Sequence, residues 1–167
     1  MSNSGKVVIY TDGSSLGNPG PGGLGIVMLY IKDGAVLKKK EHSEGYKLTT
    51  NNRMELLAVI RALQMLNENA LDMPVEIYTD SQYVSNAINK NWLDKWVKTG
   101  YKKVKNPDLW QLLVPLLNKF KNVKFVWIKG HNNDFYNERC DVLAKNAANG
   151  ATAEDEGYVL SKTKNGL

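Results

Sequence analysis

Short apolar runs alternate with longer, largely apolar segments along the chain. Four short runs rich in β-branched and aromatic residues predict strands at 7–11, 24–31, 75–79 and 123–128. A polar run around 36–46, which carries three consecutive lysines, predicts a further strand at the edge of the sheet. Four longer segments with apolar residues at helical spacing predict helices at 52–66, 81–88, 106–119 and 137–149. Three strands followed by alternating helices and strands are typical of an α/β domain.

One domain accounts for most of the chain. With 167 residues, the sequence is long enough to bury a single core without disulfides. We expect that domain to span residues 1–150. Residues 151–167 show no strong pattern and are predicted to form a C-terminal tail that is loosely held. The segment 13–23 is dense in glycine and proline, so we expect a loop there that continues neither strand nor helix.

A tetrapeptide occurs twice and ends two of the predicted strands. The copies are Ile-Tyr-Thr-Asp at 9–12 and at 77–80, each at the end of an apolar run. If these strands lie side by side and parallel, their matched ends place Asp12 and Asp80 next to each other at one edge of the sheet. Because neighbouring carboxylates repel, a positive charge is expected between them.

Other polar residues follow strands or occupy helices near the same edge, and each has an ordinary explanation. Glu55 lacks an ion-pair partner three or four residues on, but it could form a capping box with Asn52. Asp80 could be the N-cap of the helix that follows it. Asp141 has Lys145 four residues on, as in a surface ion pair, and a lone loop histidine such as His131 is usually a surface residue.

Taken together, the acidic residues indicate a metal site. Asp12, Glu55, Asp80 and Asp141 would offer only carboxylate oxygens, with one imidazole nearby, and such ligands suit Mg²⁺ or Mn²⁺. Two such ions about 4 Å apart can hold the attacking and leaving oxygens of a phosphodiester. The single cysteine, Cys140, excludes an internal disulfide and a thiolate zinc cluster.

The charge is concentrated in one segment. The net charge is +5, and residues 88–105, which we call the basic arm, carry six lysines against one aspartate, with Trp92, Trp96 and Tyr101 among them. Such a patch favours a polyanionic partner. The helical spacing of Trp92 and Trp96 is equally typical of packing onto the body of the protein. Without a membrane-length apolar run or a signal peptide, the chain is expected in the cytoplasm. We also expect a monomer.

Six motifs in order resemble bacterial ribonuclease HI. They are Tyr-Thr-Asp-Gly-Ser at 10–14, Gly-Asn-Pro-Gly-Pro-Gly-Gly at 17–23, Thr-Asn-Asn-Arg-Met-Glu-Leu at 50–56, Thr-Asp-Ser-Gln-Tyr at 79–83, Lys-Gly-His at 129–131 and Asn-Glu-Arg-Cys-Asp at 137–141. The resemblance implies a ribonuclease H-like fold, with a five-stranded mixed sheet flanked by helices on both faces. It also implies endonucleolytic hydrolysis of the RNA strand of RNA–DNA hybrids by two metal ions, leaving 5′-phosphate and 3′-hydroxyl ends.

The resemblance also implies roles for individual residues. Asp12, Glu55, Asp80 and Asp141 match the family's metal-binding catalytic carboxylates, and His131 matches its catalytic histidine. Asn18, Asn51, Asn52 and Gln82 resemble residues that reach into the minor groove of the hybrid, and Thr50 resembles part of a pocket for a DNA-strand phosphate. The basic arm resembles the protrusion that grips the DNA strand, which here contains Trp92, Trp96, Lys98, Lys102 and Lys103.

Two other functions are compatible with part of this pattern. A hybrid-binding or RNA-binding protein without catalysis would keep the basic arm, but it would have no use for the complete acidic set. A metal-dependent nuclease acting on DNA would need the acids, but not the asparagine and glutamine set that suits 2′-hydroxyl recognition. Comparing cleavage of hybrid, duplex RNA and duplex DNA separates the three.

Overall fold

The computed structural model describes residues 5–130 and 134–165. Within those ranges the chain forms five strands, six α-helices and a short 3-10 turn at Glu68–Ala70. The strands are β1 (Lys6–Ser15), β2 (Gly20–Lys32), β3 (Ala35–Thr49), β4 (Pro74–Thr79) and β5 (Asn122–Trp127). The helices are α1 (Asn51–Met65), α2 (Gln82–Asn89), α3 (Trp92–Lys98), α4 (Pro107–Lys119), α5 (Phe135–Ala148) and α6 (Glu156–Asn165). None of the described helices is both long and apolar enough to cross a membrane.

The five strands form one mixed sheet in the order β3-β2-β1-β4-β5. Strands β1, β2 and β3 form an antiparallel meander, and β4 and β5 run parallel to β1. In the β1–β4 pair Ile9 lies opposite Ile77 and Thr11 opposite Thr79, so the two copies of the repeated tetrapeptide are in register. The predicted α/β class, mixed sheet and parallel pairing are confirmed. Strand β3, with its exposed lysines, lies at the sheet edge as predicted.

The glycine-rich segment is not the long loop that the sequence predicts. Strand β1 continues to Ser15 and β2 begins at Gly20, so only residues 16–19 form the connection. Pro21 sits at an irregularity in the β2–β3 register, where a missing backbone N–H is tolerated. The prediction was wrong because it treated glycine and proline as strand breakers without regard to pairing at a bulge.

Helix α1 is buried on nearly all sides, as its composition predicts. It packs between the sheet and α4, and Met54, Leu56 and Ile60 are fully buried. From α4, Trp110 and Leu113 enter the same core. Pro115 does not end α4, which continues to Lys119. This core fixes the position of the first turns of α1 relative to β1.

Helix α5 covers the opposite face of the sheet, directly on glycines. A Cβ atom at Gly25 would overlap the backbone carbonyl oxygen of Cys140, and one at Gly45 would overlap that of Ala147. The α5 backbone therefore approaches the strands more closely than any side chain would allow. Cys140 is buried at this contact, and its thiol lies 3.2 Å from the Tyr10 carbonyl oxygen.

The segment after Gly150 contains an element that the sequence pattern does not reveal. Before α6 begins, the Lys47 N–H donates a hydrogen bond to the Ala153 carbonyl (2.8 Å) at the end of β3. Asp155 is buried and forms an ion pair with Arg53 (2.7 Å), a residue of α1 102 positions earlier in the chain. Because this ion pair joins residues that are far apart in the sequence, no local pattern of apolar and polar residues predicts it.

We predict that Gly25→Ala destabilises the protein by about 2 kcal/mol, because the added methyl group forces α5 away from the sheet and overpacking costs that much. Equilibrium unfolding in urea measures the change. Gly34→Ala is the control: Gly34 has a φ of 77° but no atom within 4 Å of an added Cβ, so only a left-handed backbone penalty of about 1 kcal/mol is expected. A neutral Gly25→Ala would contradict the close packing.

Candidate active site

Three carboxylates meet at the edge of the sheet where the pairing of β1 with β4 ends. Asp12 lies in β1, Asp80 directly follows β4, and Glu55 is in the second turn of α1. One carboxylate oxygen from each lies within 4.8 Å of the other two. Asp12 and Glu55 are buried, and Asp80 is partly exposed. The structure thus brings together three of the four acidic residues predicted as metal ligands.

Backbone contacts fix the position of Glu55. Thr50 is the N-cap of α1, with its Oγ1 accepting from the Arg53 N–H at 3.3 Å, so the alternative of a capping box from Asn52 and Glu55 is wrong. The Glu55 carboxylate instead accepts a hydrogen bond of 2.9 Å from the Gly13 N–H. A side chain at Gly13 would overlap the Glu55 backbone, so glycine is required for this approach.

Asp80 is likewise not a helix cap. Ser81 caps α2, because its Oγ accepts a hydrogen bond of 3.2 Å from the Val84 N–H. The Trp127 indole donates to the Asp80 carbonyl oxygen at 3.1 Å. A Cβ atom at Gly130 would lie 2.8 Å from the Asp80 Oδ2. These contacts hold the Asp80 backbone and leave its carboxylate in the acidic cluster.

Asp141 approaches the cluster from α5. It forms the predicted ion pair with Lys145 at 3.0 Å, and it lies close enough to Asp12 for its charge to raise the Asp12 pKa. Asp141 therefore forms the ion pair with Lys145 and also lies beside the acidic cluster. The pKa of Lys145 is raised by this pairing.

Burial and mutual repulsion make the cluster costly when it is fully ionised. Burial, then repulsion by Asp80 and Asp141, raises the pKa of Asp12 to about 9. Burial, then repulsion by Asp12 and Asp80, raises the pKa of Glu55 well above its usual range, although the Gly13 N–H opposes this shift. A donor set of carboxylate oxygens with uncompensated negative charge fits a hard divalent cation.

The residues predicted to contact a nucleic acid lie on neighbouring elements. Asn18, in the connection between β1 and β2, accepts a hydrogen bond of 3.1 Å from the Asn51 N–H through its Oδ1. Thr50 and Asn52 adjoin it at the start of α1, and Gln82 is the exposed first residue of α2. His131, predicted as a catalytic residue, lies outside the described residues.

The two tryptophans of the basic arm have different environments. Trp96 is partly buried, and its ring lies 5.2 Å from that of Trp110, so it holds α3 on the body of the protein. Trp92 is 39% exposed, with the Lys90 ammonium 5.6 Å from its ring centroid. Lys98, Lys102 and Lys103 are exposed. The packing interpretation therefore holds for Trp96, whereas Trp92 and the lysines face solvent.

Some residues that shape the site escape the sequence analysis. Gly13, Gly130 and Trp127 hold Glu55 and Asp80 in place, and none of them carries catalytic chemistry. Gly13 and Gly130 lie within the quoted motifs, next to Asp12 and His131. Their position beside candidate catalytic residues is the sequence feature that could have indicated a role in the site. No sequence feature indicates a role for Trp127, because its hydrogen-bond partner is a backbone carbonyl 47 residues away.

Comparisons with known proteins agree on one family. The family model for RNase H matches residues 4–149. A ribonuclease H of Syntrophus aciditrophicus (strain SB) is 50% identical over 159 residues, which cover 92% of this chain and 87% of that protein. The crystal structure of LC9-RNase H1 is 31% identical with a TM-score of 0.79, covering 91% of this chain and 76% of the other. That of LC11-RNase H1 in complex with RNA/DNA hybrid is 33% identical with a TM-score of 0.62, covering 86% and 97%.

We predict that, in chelator, the free energy of unfolding falls as the pH rises from 5 to 8. Over this range, folded Asp12, with a pKa of about 9, keeps a proton that an unfolded aspartate with a pKa near 4 has released. Raising the pH therefore favours the unfolded chain, by up to about 1.4 kcal/mol per pH unit for one proton.

Asp12→Asn should reduce this slope and raise stability at pH 8, because the amide cannot ionise. Urea unfolding at several pH values measures both effects. Asp72→Asn is the matched control, since Asp72 is exposed and paired with Lys121 far from the cluster. Equal slopes for the wild type and Asp12→Asn would contradict the electrostatic account.

Proposed function

The chain belongs to the RNase H family and hydrolyses the RNA strand of RNA–DNA hybrids, and on this premise we propose which of its residues carry the reaction. Asp12, Glu55, Asp80 and Asp141 are the catalytic carboxylates, with His131 as an additional catalytic residue by its motif. The observation that carries the assignment is the meeting of three carboxylates within 4.8 Å where the pairing of β1 with β4 ends.

The four carboxylates would hold Mg²⁺, with Mn²⁺ as an alternative. When bound, such ions would supply an activated water nucleophile and stabilise the charge that develops on the phosphate. The products of cleavage would carry 5′-phosphate and 3′-hydroxyl ends. The family uses divalent metal, and the oxygen-only donor set supports a hard cation. The raised pKa values of Asp12 and Glu55 support a cluster whose charge is balanced by a ligand.

The chain's own groups keep this cluster ordered. The Gly13 N–H orients the Glu55 carboxylate from the β1 side, and Lys145 holds the Asp141 carboxylate from the next turn of α5. His131 would move a proton at its imidazole between the reacting centre and solvent, a role that imidazole side chains commonly have. The contacts of Gly13 and Lys145 limit the rotation of the Glu55 and Asp141 carboxylates. Less side-chain entropy is therefore lost when the site binds its ligands.

Substrate recognition would come from short amides and from lysines. Asn18, Asn51, Asn52 and Gln82 would contact the minor groove, where an A-form-like hybrid displays 2′-hydroxyls. Thr50 would contribute to binding a phosphate of the DNA strand. The basic arm, with exposed Trp92, Lys98, Lys102 and Lys103, would bind that strand's backbone without sequence preference, while Trp96 secures α3 beneath them.

We also infer the context in which the enzyme works. Residues 1–150 form the catalytic domain, and the protein acts in the cytoplasm as a monomer. The one cysteine of the sequence, Cys140, is buried, so the fold needs no disulfide and is compatible with a reducing compartment. Size-exclusion chromatography with light scattering tests the oligomeric state, and a mass of twice 18.7 kDa would contradict it.

We predict that Asp12→Asn lowers the rate of hybrid cleavage by about 10³-fold or more, because metal-assisted stabilisation of the transition state is worth several kcal/mol. Labelled RNA–DNA hybrid, duplex RNA and duplex DNA are incubated with Mg²⁺ or with chelator, and the products are separated by electrophoresis. Only hybrid with metal should be cleaved.

The same variant should still bind the hybrid, because Asp12 is not a phosphate-binding cation. Asp72→Asn controls for loss of one negative charge and should cleave like the wild type. Cleavage of duplex DNA, or of hybrid in chelator, would contradict the proposed function. Loss of binding and of folding together would give Asp12 a structural role instead.

We predict that replacing Lys98, Lys102 and Lys103 together by alanine weakens hybrid binding and lowers its salt dependence. If each lysine neutralises one phosphate, the slope of log K against log salt should fall by about 2–3. Fluorescence anisotropy at several salt concentrations measures it. The matched control replaces Lys38, Lys39 and Lys40, three exposed lysines of edge strand β3. Equal slopes for the two triple variants would remove the basic arm from the binding surface.

A further inference from the structure

A cleft opens between the start of α1, the end of the basic arm and α6. Its volume is about 660 Å³. Asn18, Thr50 and Asn52, which carry proposed substrate contacts, form one wall. The other walls come from the segment entering α4 and from the C-terminal helix; they include Lys105, Asn106, Pro107, Tyr158, Ser161 and Lys162. The cleft therefore continues the proposed substrate surface onto α6.

The base of this cleft is an ion cluster in which one buried guanidinium pairs with two carboxylates. Arg53 is 2% exposed, and it donates hydrogen bonds of 2.7 and 2.9 Å to the Asp155 carboxylate and of 2.7 and 2.9 Å to that of Asp108. Asp155 also accepts a hydrogen bond of 2.6 Å from the Thr49 hydroxyl. Because Arg53 is buried and its donors are taken by these two carboxylates, the exposed Lys105 and Lys162 supply the cationic groups open to a ligand in the described lining.

The same cluster positions Lys162. The Asp155 carboxylate accepts from the Tyr158 N–H at 3.3 Å and so caps the start of α6. Tyr158 is buried, and the Lys162 ammonium lies 5.4 Å from the centroid of its ring. The two residues are four apart on one helix face. Arg53, Asp155, Tyr158 and Lys162 thus form a continuous series of contacts from the core to the cleft.

We propose that Lys162, on the C-terminal helix, binds a backbone phosphate of the DNA strand of the hybrid at the cleft that Thr50 and Lys105 also line. This inference rests on the proposed function, and it adds a binding group that lies beyond residues 4–149, the part matched by the family model. Three features carry it: the cleft is continuous with Asn18 and Thr50, Lys105 and Lys162 are its exposed cations, and the Tyr158 ring holds the Lys162 ammonium in place.

The charge of Lys162, rather than its bulk, would make the contact. We therefore expect Lys162→Gln to weaken hybrid binding about 3- to 10-fold at low salt and to lower the salt slope by about 1, as for loss of one phosphate contact. Lys162→Arg should bind like the wild type. Lys39→Gln is the matched control, because Lys39 is an exposed lysine near Met65, at the opposite end of α1.

Binding is measured by fluorescence anisotropy in chelator, where no strand is cut, on the full-length protein. Hybrids with a single neutral methylphosphonate at successive positions of either strand locate the contact. One position in the DNA strand should weaken wild-type binding while leaving Lys162→Gln unchanged, because the two changes remove the same interaction. Unfolding in urea checks that each variant is as stable as the wild type.

The possible outcomes separate this inference from the proposed function. If wild-type protein fails to cleave hybrid in Mg²⁺, the proposed function itself is wrong. If it cleaves but Lys162→Gln binds like Lys39→Gln, Lys162 makes no phosphate contact. If the coupled methylphosphonate lies in the RNA strand, the assignment to the DNA strand is overturned. If Lys162→Arg binds as weakly as Lys162→Gln, the charge is not responsible.

Discussion

The repulsion between carboxylates where the pairing of β1 with β4 ends is the constraint around which the site is arranged. The parallel, in-register pairing of these strands brings Asp12 and Asp80 to one level of the sheet, and the Gly13 N–H draws in Glu55. The resulting burial raises the pKa of Asp12 to about 9. Because a domain of this size is stable by only about 5–15 kcal/mol, such a cluster is a substantial cost that the apolar packing around α1 has to offset.

A second buried charge cluster follows the opposite principle. Arg53 lies beside Asp108 and Asp155, and each carboxylate receives two of its hydrogen bonds. In this network each carboxylate is paired with the guanidinium, and the Asp108 side chain is also partly exposed to solvent. The acidic cluster includes Glu55, which is only two residues after Arg53 in α1. Among the described residues, no cation lies at the centre of that cluster as Arg53 does here. Buried charges without partners are rarely kept unless a ligand uses them, so the contrast between the clusters is a physical argument for function.

Patterns of local spacing predicted most of the fold, and contacts between distant residues account for what they missed. The repeated tetrapeptide was sufficient to place Asp12 beside Asp80, because strand register follows from matched apolar runs. Helix caps were misjudged: any short polar residue near a helix start can serve, and Thr50 and Ser81 do so here. Helix α6 was missed because its anchor, the ion pair of Asp155 with Arg53, spans 102 residues.

Glycines explain how a site of bulky, charged groups fits so close to the backbone. Gly13 allows β1 to approach α1 at Glu55, and Gly130 leaves room for the Asp80 carboxylate. Gly25 pairs with Asp12 across β1 and β2, and it also contacts the backbone of Cys140, the residue before Asp141. One glycine thus sets the distance of α5 from the strand that carries Asp12. Asp141 is carried by α5, so the distance between its carboxylate and Asp12 depends on how closely Gly25 lets that helix approach the sheet.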